Sequence, residues 1–305
     1  MNCRPKTGSS LRGKGATGRQ SVTRYAKPTI LSEALALLGE RPWRLLAGGT
    51  DFYPALGNRP LKEDVLDING LAELRGIADS GDHWVIGART TWTDIARHQL
   101  PAAFDALRQA AREVGSPQIQ NVATVAGNLC NASPAADGVP ALLTLDAEVE
   151  LCSTAGVRRL PLAAFVLGNR RTALGAGELV TAIRVPKSSA AGCSAFIKLG
   201  ARRYLVISIG MAAARLVIEA GAVREAAVAV GACSAVARRL AGVEAALRGM
   251  PVSALRDAVL TAPMGELSPI DDVRGSAAYR IEAAREIVAR AVVAAAAPDE
   301  GRRAA

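Results

Sequence analysis

From Gln118 to Asp137 the chain shows little helical or strand periodicity, and this stretch limits the possible folds more than any other. It holds a hydroxyl (Thr124), two small residues that allow close approach (Ala126-Gly127) and three small polar side chains (Asn128, Asn131, Ser133). A rigid turn at Pro134 and a carboxylate at Asp137 complete it. The run is too polar and too irregular to fill a core. A loop of this length inside a compact domain is usually functional, with a purely structural loop as the alternative. Hydroxyls and backbone amides suit a diphosphate, and a carboxylate suits sugar hydroxyls.

A second feature lies upstream. The apolar strand Trp43–Ala47 runs straight into Gly48-Gly49, then Thr50, Asp51 and Phe52. Paired glycines allow positive φ and leave no Cβ between backbone and ligand. Successive N–H groups can then face one oxyanion. Alone, the pattern also fits a plain turn. It is not a G-x-G-x-x-G fingerprint, and the chain has no Walker sequence.

Charge and cysteine usage exclude several classes. The net charge is +9, but residues 1–27 carry seven basic side chains and no acid, leaving 30 basic against 28 acidic residues elsewhere. The basic character thus belongs mainly to the N-terminal stretch, which argues against nucleic acid as a partner of the folded body. Cys3, Cys130, Cys152, Cys193 and Cys233 are isolated, and the two histidines are His83 and His98. This chain is expected to carry no metal or iron–sulfur site. No apolar run is long enough for a membrane span, and the expected compartment is the cytoplasm.

Periodicity divides the chain. Residues 1–21 read as a disordered basic leader and 298–305 as a tail. Residues 22–75 read as a strand–helix–strand lobe, with a helix over Thr29–Leu38 (Ser32 as cap) and a strand over Val65–Ile68. Residues 76–188 form a second lobe. Its expected elements are a strand Trp84–Gly87, a helix starting at Ile95 behind Thr93 or Asp94, and a helix Phe104–Val114. Ala141–Leu145, Val149–Cys152 and Leu179–Val185 read as elements returning to a sheet. After a linker at Ser188–Cys193, residues 192–297 alternate as antiparallel strands (Ala195–Leu199, Gly210–Ile218, Glu225–Val230). Helices follow over Arg239–Leu247, Val252–Leu260 and Ala277–Ala297. Asp271 and Asp272 suit the start of the last helix, with Arg274 pairing with them or facing a partner.

The two loops carry a family resemblance. Ala47-Gly-Gly-Thr-Asp51, followed by Ala123-Thr-Val-Ala-Gly-Asn-Leu-Cys-Asn-Ala-Ser-Pro-Ala-Ala-Asp137, closely resembles the FAD-binding medium subunits of the xanthine dehydrogenase and carbon monoxide dehydrogenase family of molybdenum hydroxylases. Three further elements fit in order: Glu178–Pro186, Phe196–Arg203 as K-x-x-x-R-R, and Ser268–Arg280 as S-x-x-D-D-x-R-x-S-x-x-Y-R. The likeness spans roughly residues 22–294. It implies an α+β fold: a two-lobed FAD-binding domain of the PCMH type, then a C-terminal α+β domain with an antiparallel sheet and helices.

It also implies roles. Leu45, Leu46, Ala47, Gly48, Gly49, Thr50, Asp51 and Phe52 would wrap the FAD diphosphate, with Thr124, Ala126, Gly127, Asn128 and Asn131 holding it from the second loop. Asp137 would bond ribityl or sugar hydroxyls, Val114 and Leu179 would pack on the rings, and Lys198 would sit near the isoalloxazine. Where the family has Gly-Gly-Asn, this chain has Ala126-Gly127-Asn128, which puts close backbone approach at Ala126 in question. The implied partners are a small subunit with two [2Fe–2S] clusters and a large molybdopterin subunit, with NAD+, oxygen or a quinone as acceptor. The Gly127–Pro134 run leans towards the purine and xanthine branch. A self-contained FAD-dependent reductase and a basic nucleic-acid-binding protein are the rival readings.

Overall fold

The computed structural model describes residues 23–203 and 205–297; the leader over 1–21 and the tail over 298–305 fall outside them. The first lobe is a parallel three-stranded sheet of β1 (Tyr25–Ala26), β2 (Arg44–Leu46) and β3 (Val65–Asp67), with β3 central. Helix α1 (Leu31–Glu40) covers it with Ala34, Leu35 and Leu38 against Leu66 and Ile68. Ser32 does not cap α1: the N-cap is Ile30, with no side-chain bond. Short α2 (Phe52–Leu56) follows the glycine turn.

The second lobe is built on an antiparallel sheet ordered β4-β5-β10-β6-β7. These strands are β4 (Ile77–Ser80), β5 (His83–Gly87), β6 (Glu148–Ser153), β7 (Gly156–Pro161) and β10 (Leu179–Pro186). A small hairpin of β8 (Val166–Gly168) and β9 (Arg171–Thr172) stands apart. The helices are α3 (Trp92–Arg97), α4 (Asp105–Glu113), α5 (Pro117–Val122), α6 (Val125–Asn131), α7 (Gly138–Thr144) and α8 (Leu162–Phe165).

Three expectations are corrected here. Helix α3 starts earlier, capped by Thr91 in a reciprocal box with Asp94. The stretch read as irregular contains α5, capped by Ser116 with Pro117 in its first turn, and α6, capped by Thr124. Each helix is under two full turns, too short for periodicity to show in a window of ordinary length. Ala141–Leu145 is not a sheet element. It lies in α7, buried all round, where a short apolar helix and a buried strand read alike.

In the C-terminal domain the antiparallel sheet runs β11 (Cys193–Leu199), β12 (Gly210–Glu219), β13 (Ala222–Gly231) and β14 (Arg238–Arg239). Helices α9 (Ala241–Leu247), α10 (Leu255–Thr261) and α11 (Ala277–Ala296) complete the domain. Both faces of the sheet are buried. Ala212, Ala214 and Leu216 pack with α9–α11, whereas Met211 and Ala213 join the second-lobe core. That double burial explains why β12 is rich in alanine: helices press on both sides. Asp271 accepts from the Ala277 N–H, and Asp272 pairs with Arg274 and Arg280, as the start of α11 requires. Among the described residues no helix is long and apolar enough to cross a membrane.

Ala212 and Ala213 have no exposed surface and face opposite sides of the sheet. Ala212→Leu and Ala213→Leu should therefore each cost about 1–3 kcal/mol by overpacking, read as a lower urea midpoint. If either is neutral, one face of the sheet is not packed as described.

Candidate functional site

A cleft of about 540 Å³ opens where the first lobe meets the second, within the range of small-molecule and cofactor sites. The first lobe supplies its floor. Because strand side chains alternate, Leu45 and Ala47 line the cleft while Leu46 is buried on the opposite face. Gly48, Gly49, Thr50, Asp51 and Phe52 continue the lining. Gly49 takes φ +76°, and the Asn69 side chain donates to the Ala47 carbonyl at 2.8 Å, fixing the turn. Among the described residues no acceptor takes the N–H groups of Gly48, Gly49, Thr50 or Asp51. They form a nest open to an anion.

The second lobe supplies the facing wall. The Trp92 N–H donates to the Ala123 carbonyl at 3.1 Å and Val125 N–H to the Thr90 carbonyl at 3.0 Å, tying α6 to the start of α3. Thr124 Oγ1 accepts from the Gly127 N–H at 3.0 Å. Thr124, Gly127, Asn128 and Asn131, spaced as one face of a helix, all line the cleft, as does Ala126. Asn128 Oδ1 and Trp92 Nε1 are buried without a hydrogen-bond partner. Two unsatisfied buried groups on one cleft wall call for a polar ligand. Val114, at the end of α4, and Leu179, at the start of β10, close the apolar end.

Besides Leu46, two further expected residues lie elsewhere. Asp137 does not line the cleft. Its carboxylate accepts from Lys198 Nζ and from Ser208 Oγ, each at 2.7 Å, joining the second lobe to the C-terminal domain. Burial pushes this carboxyl up, and Lys198 and Ser208 pull against the shift. Lys198 Nζ also donates to the Glu113 carbonyl at 3.1 Å, so it stands behind Val114. Lys198 borders a separate groove between α4 and β11.

Several lining residues escaped the sequence. Arg44 stacks on the Phe52 ring at 4.4 Å and pairs with Glu63 at 3.2 Å. Trp92 and Arg170 also line the cleft, and Arg170 donates to Asn131 Oδ1 at 3.0 Å. Cys130, half-buried at the wall, stays a thiol, since burial pushes it up to about 12. For Arg170 a signal existed in the Gly168-Asn-Arg-Arg171 turn; for Trp92 none did.

An anion nest, a polar helix face and an apolar end, set between two lobes of an α+β body, define a dinucleotide-binding flavoprotein. Comparison with known proteins places the chain within that class. Residues 20–188 match the family described as FAD binding domain in molybdopterin dehydrogenase, and residues 195–295 the CO dehydrogenase flavoprotein C-terminal domain. The chain is 41% identical over 193 residues to the nicotinate dehydrogenase FAD-subunit of Eubacterium barkeri, covering 61% of this chain and 65% of that protein. It is 32% identical to the putative xanthine dehydrogenase FAD-binding subunit XdhB of Escherichia coli K12, covering 89% and 96%. Carbon monoxide dehydrogenase from Hydrogenophaga pseudoflava superposes with a TM-score of 0.78 at 30% identity, covering 88% and 96%. The chain therefore belongs to the FAD-binding medium subunits of the xanthine and carbon monoxide dehydrogenase family, and it is an FAD-dependent oxidoreductase subunit. The residues present fit FAD: the free N–H groups suit its diphosphate and the unpaired Asn128 and Trp92 atoms suit its polar groups.

A Cβ at Gly48 would overlap the Val122 carbonyl, backbone against backbone, so Gly48→Ala must push the two lobes apart. The FAD dissociation constant should rise at least about tenfold, a loss of about 1.4 kcal/mol. Gly265→Ala, whose Cβ meets open space, is the control and should keep its flavin.

Proposed function

We propose that this chain holds the FAD through which electrons reach NAD+ or another acceptor, coming from the [2Fe–2S] clusters of a small partner subunit and ultimately from a large molybdopterin subunit. The observation that carries this reading is the convergence of unbonded N–H groups and unpaired polar side-chain atoms on one cleft between the lobes. The family's multi-subunit members support the partners. In this reading Gly48, Gly49, Thr50 and Asp51 take the diphosphate through their backbone N–H groups. Thr124 holds Gly127 and so sets the start of α6, and Asn128 turns its free oxygen to a donor on the cofactor. Val114 and Leu179 exclude water from the rings.

Lys198 acts from behind the Val114 wall. A fixed cation there favours extra negative charge on the cofactor, as reduction requires. Asp137 is assigned to holding Lys198 and not to sugar hydroxyls, because both its oxygens are already bonded within the protein. FAD supplies the capacity to take electrons singly and release them as a pair, while the chain binds, orients and shields it.

The test is to purify the chain together with its neighbours and record its absorption spectrum, metal content and response to NADH under anaerobic conditions. Flavin bands accompanied by iron and molybdenum in the same complex are expected, with bleaching by NADH if NAD+ is the acceptor. A colourless chain, or a flavoprotein that never assembles with iron–sulfur and molybdenum subunits, would sink the proposal. NADH-driven turnover of a small organic substrate by the isolated chain would favour a self-contained reductase instead.

A further inference from the structure

On the second-lobe side of the cleft, two residues hold backbone conformations that side chains avoid. Ala132, the residue after α6, has φ +49°, and Arg170, in the β8–β9 turn, has φ +54°. They are bonded to each other: the Arg170 N–H donates to the Ala132 carbonyl at 3.1 Å. Hairpins normally give such a left-handed position to glycine. An arginine there is strained, and strain of this kind clusters at ligand sites.

The side chain shows what the strain achieves. Arg170 lines the cleft, and its guanidinium donates to Asn131 Oδ1 at 3.0 Å. Among the described residues it pairs with no carboxylate. The other cation on the cleft, Arg44, is already pinned by Glu63 and the Phe52 ring. Arg170 therefore brings uncompensated positive charge to a cleft that already presents free N–H groups. Asn131, held by Arg170, is one helical turn beyond Asn128 on the same face of α6.

We infer that Arg170 is an anion-binding residue of this cleft that recognises the phosphate groups of the bound dinucleotide. The inference rests on the FAD reading above and adds a binding residue to it. Arginine suits the role because its planar fork meets two phosphate oxygens at once.

The test uses the full chain freed of flavin, as wild type, Arg170→Gly and Arg170→Lys, titrated with FAD, riboflavin, ADP and adenosine. Arg170→Gly is expected to raise the FAD and ADP dissociation constants at least about tenfold, and Arg170→Lys less, while riboflavin and adenosine binding stay within about twofold. The dependence of FAD affinity on salt should weaken in Arg170→Gly. Since glycine relaxes the left-handed turn, the flavin-free Arg170→Gly chain should melt at the same temperature as wild type or higher. Unchanged FAD affinity in both variants would overturn the inference. So would equal losses for adenosine and ADP, which point to base stacking, or a lowered melting temperature, which points to a structural arginine. A wild-type chain that binds no FAD would instead defeat the FAD reading itself.

Discussion

The cleft depends on one backbone contact, Gly48 against the end of α5. A side chain at Gly48 would overlap the Val122 carbonyl and crowd Ala123 Cα. Without it, the first lobe settles directly on the segment that leads into α6. Two main-chain hydrogen bonds then fix that segment from the other side, Trp92 to Ala123 and Val125 to Thr90, together forming the antiparallel bridge between Thr91 and Thr124. The glycine turn and the α6 face thus form one wall and one floor at contact distance, made mostly of backbone. Backbone contacts of this kind cannot relax by a rotamer change, so the spacing of the cleft is set by the fold and not by its ligand.

A second joint carries the C-terminal domain. Asp137 and Lys198 are both nearly buried, and a buried pair survives only when its remaining hydrogen bonds are met. They are met here by Ser208 on the acid and by the Glu113 carbonyl on the base. Ser208 is followed by Ile209, whose carbonyl accepts from Arg280 at 2.7 Å, and Arg280 also bonds Ala232 and Asp272. A polar chain therefore runs from the wall behind Val114 to the start of α11. It joins the cofactor lobe to the far helices.

The parts legible in the sequence were those encoded locally or over many residues. The glycine turn, the long strands β10, β12 and β13 and the last helix follow from spacing, and the two loops carry the family pattern. What was not legible depended on short elements and on distant partners. Helices α5 and α6 are shorter than the window needed to see a period, so the polar residues of α6 look irregular in the sequence although they share one helical face. Leu46 reads like its neighbours because a run of letters does not show which face of a strand each residue takes. The sequence offers Asp137 to sugar hydroxyls because Lys198, which bonds it in the structure, lies 61 residues away. The Gly168–Arg171 turn is visible in the sequence, but the bond from the Arg170 N–H to the Ala132 carbonyl joins residues 38 apart, so the place of Arg170 on the cleft is not.

Helix formation in α6 also resolves the alanine that departs from the family pattern. As part of a loop, Ala126 raised the question of whether a methyl group would hold a ligand away. In the structure it sits in the first turn of a capped helix and is 4% exposed, so its methyl is largely packed within the protein. Alanine there favours the helix over glycine by about 0.8–1.0 kcal/mol. The next residue has no such freedom. A Cβ at Gly127 would come within 2.8 Å of Thr124 Oγ1, the atom that caps the helix by accepting the Gly127 N–H. Crowding at Gly127 acts on the cap itself, whereas the methyl at Ala126 is already accommodated. One glycine of the pair can be lost without disturbing the helix start, and it is the first.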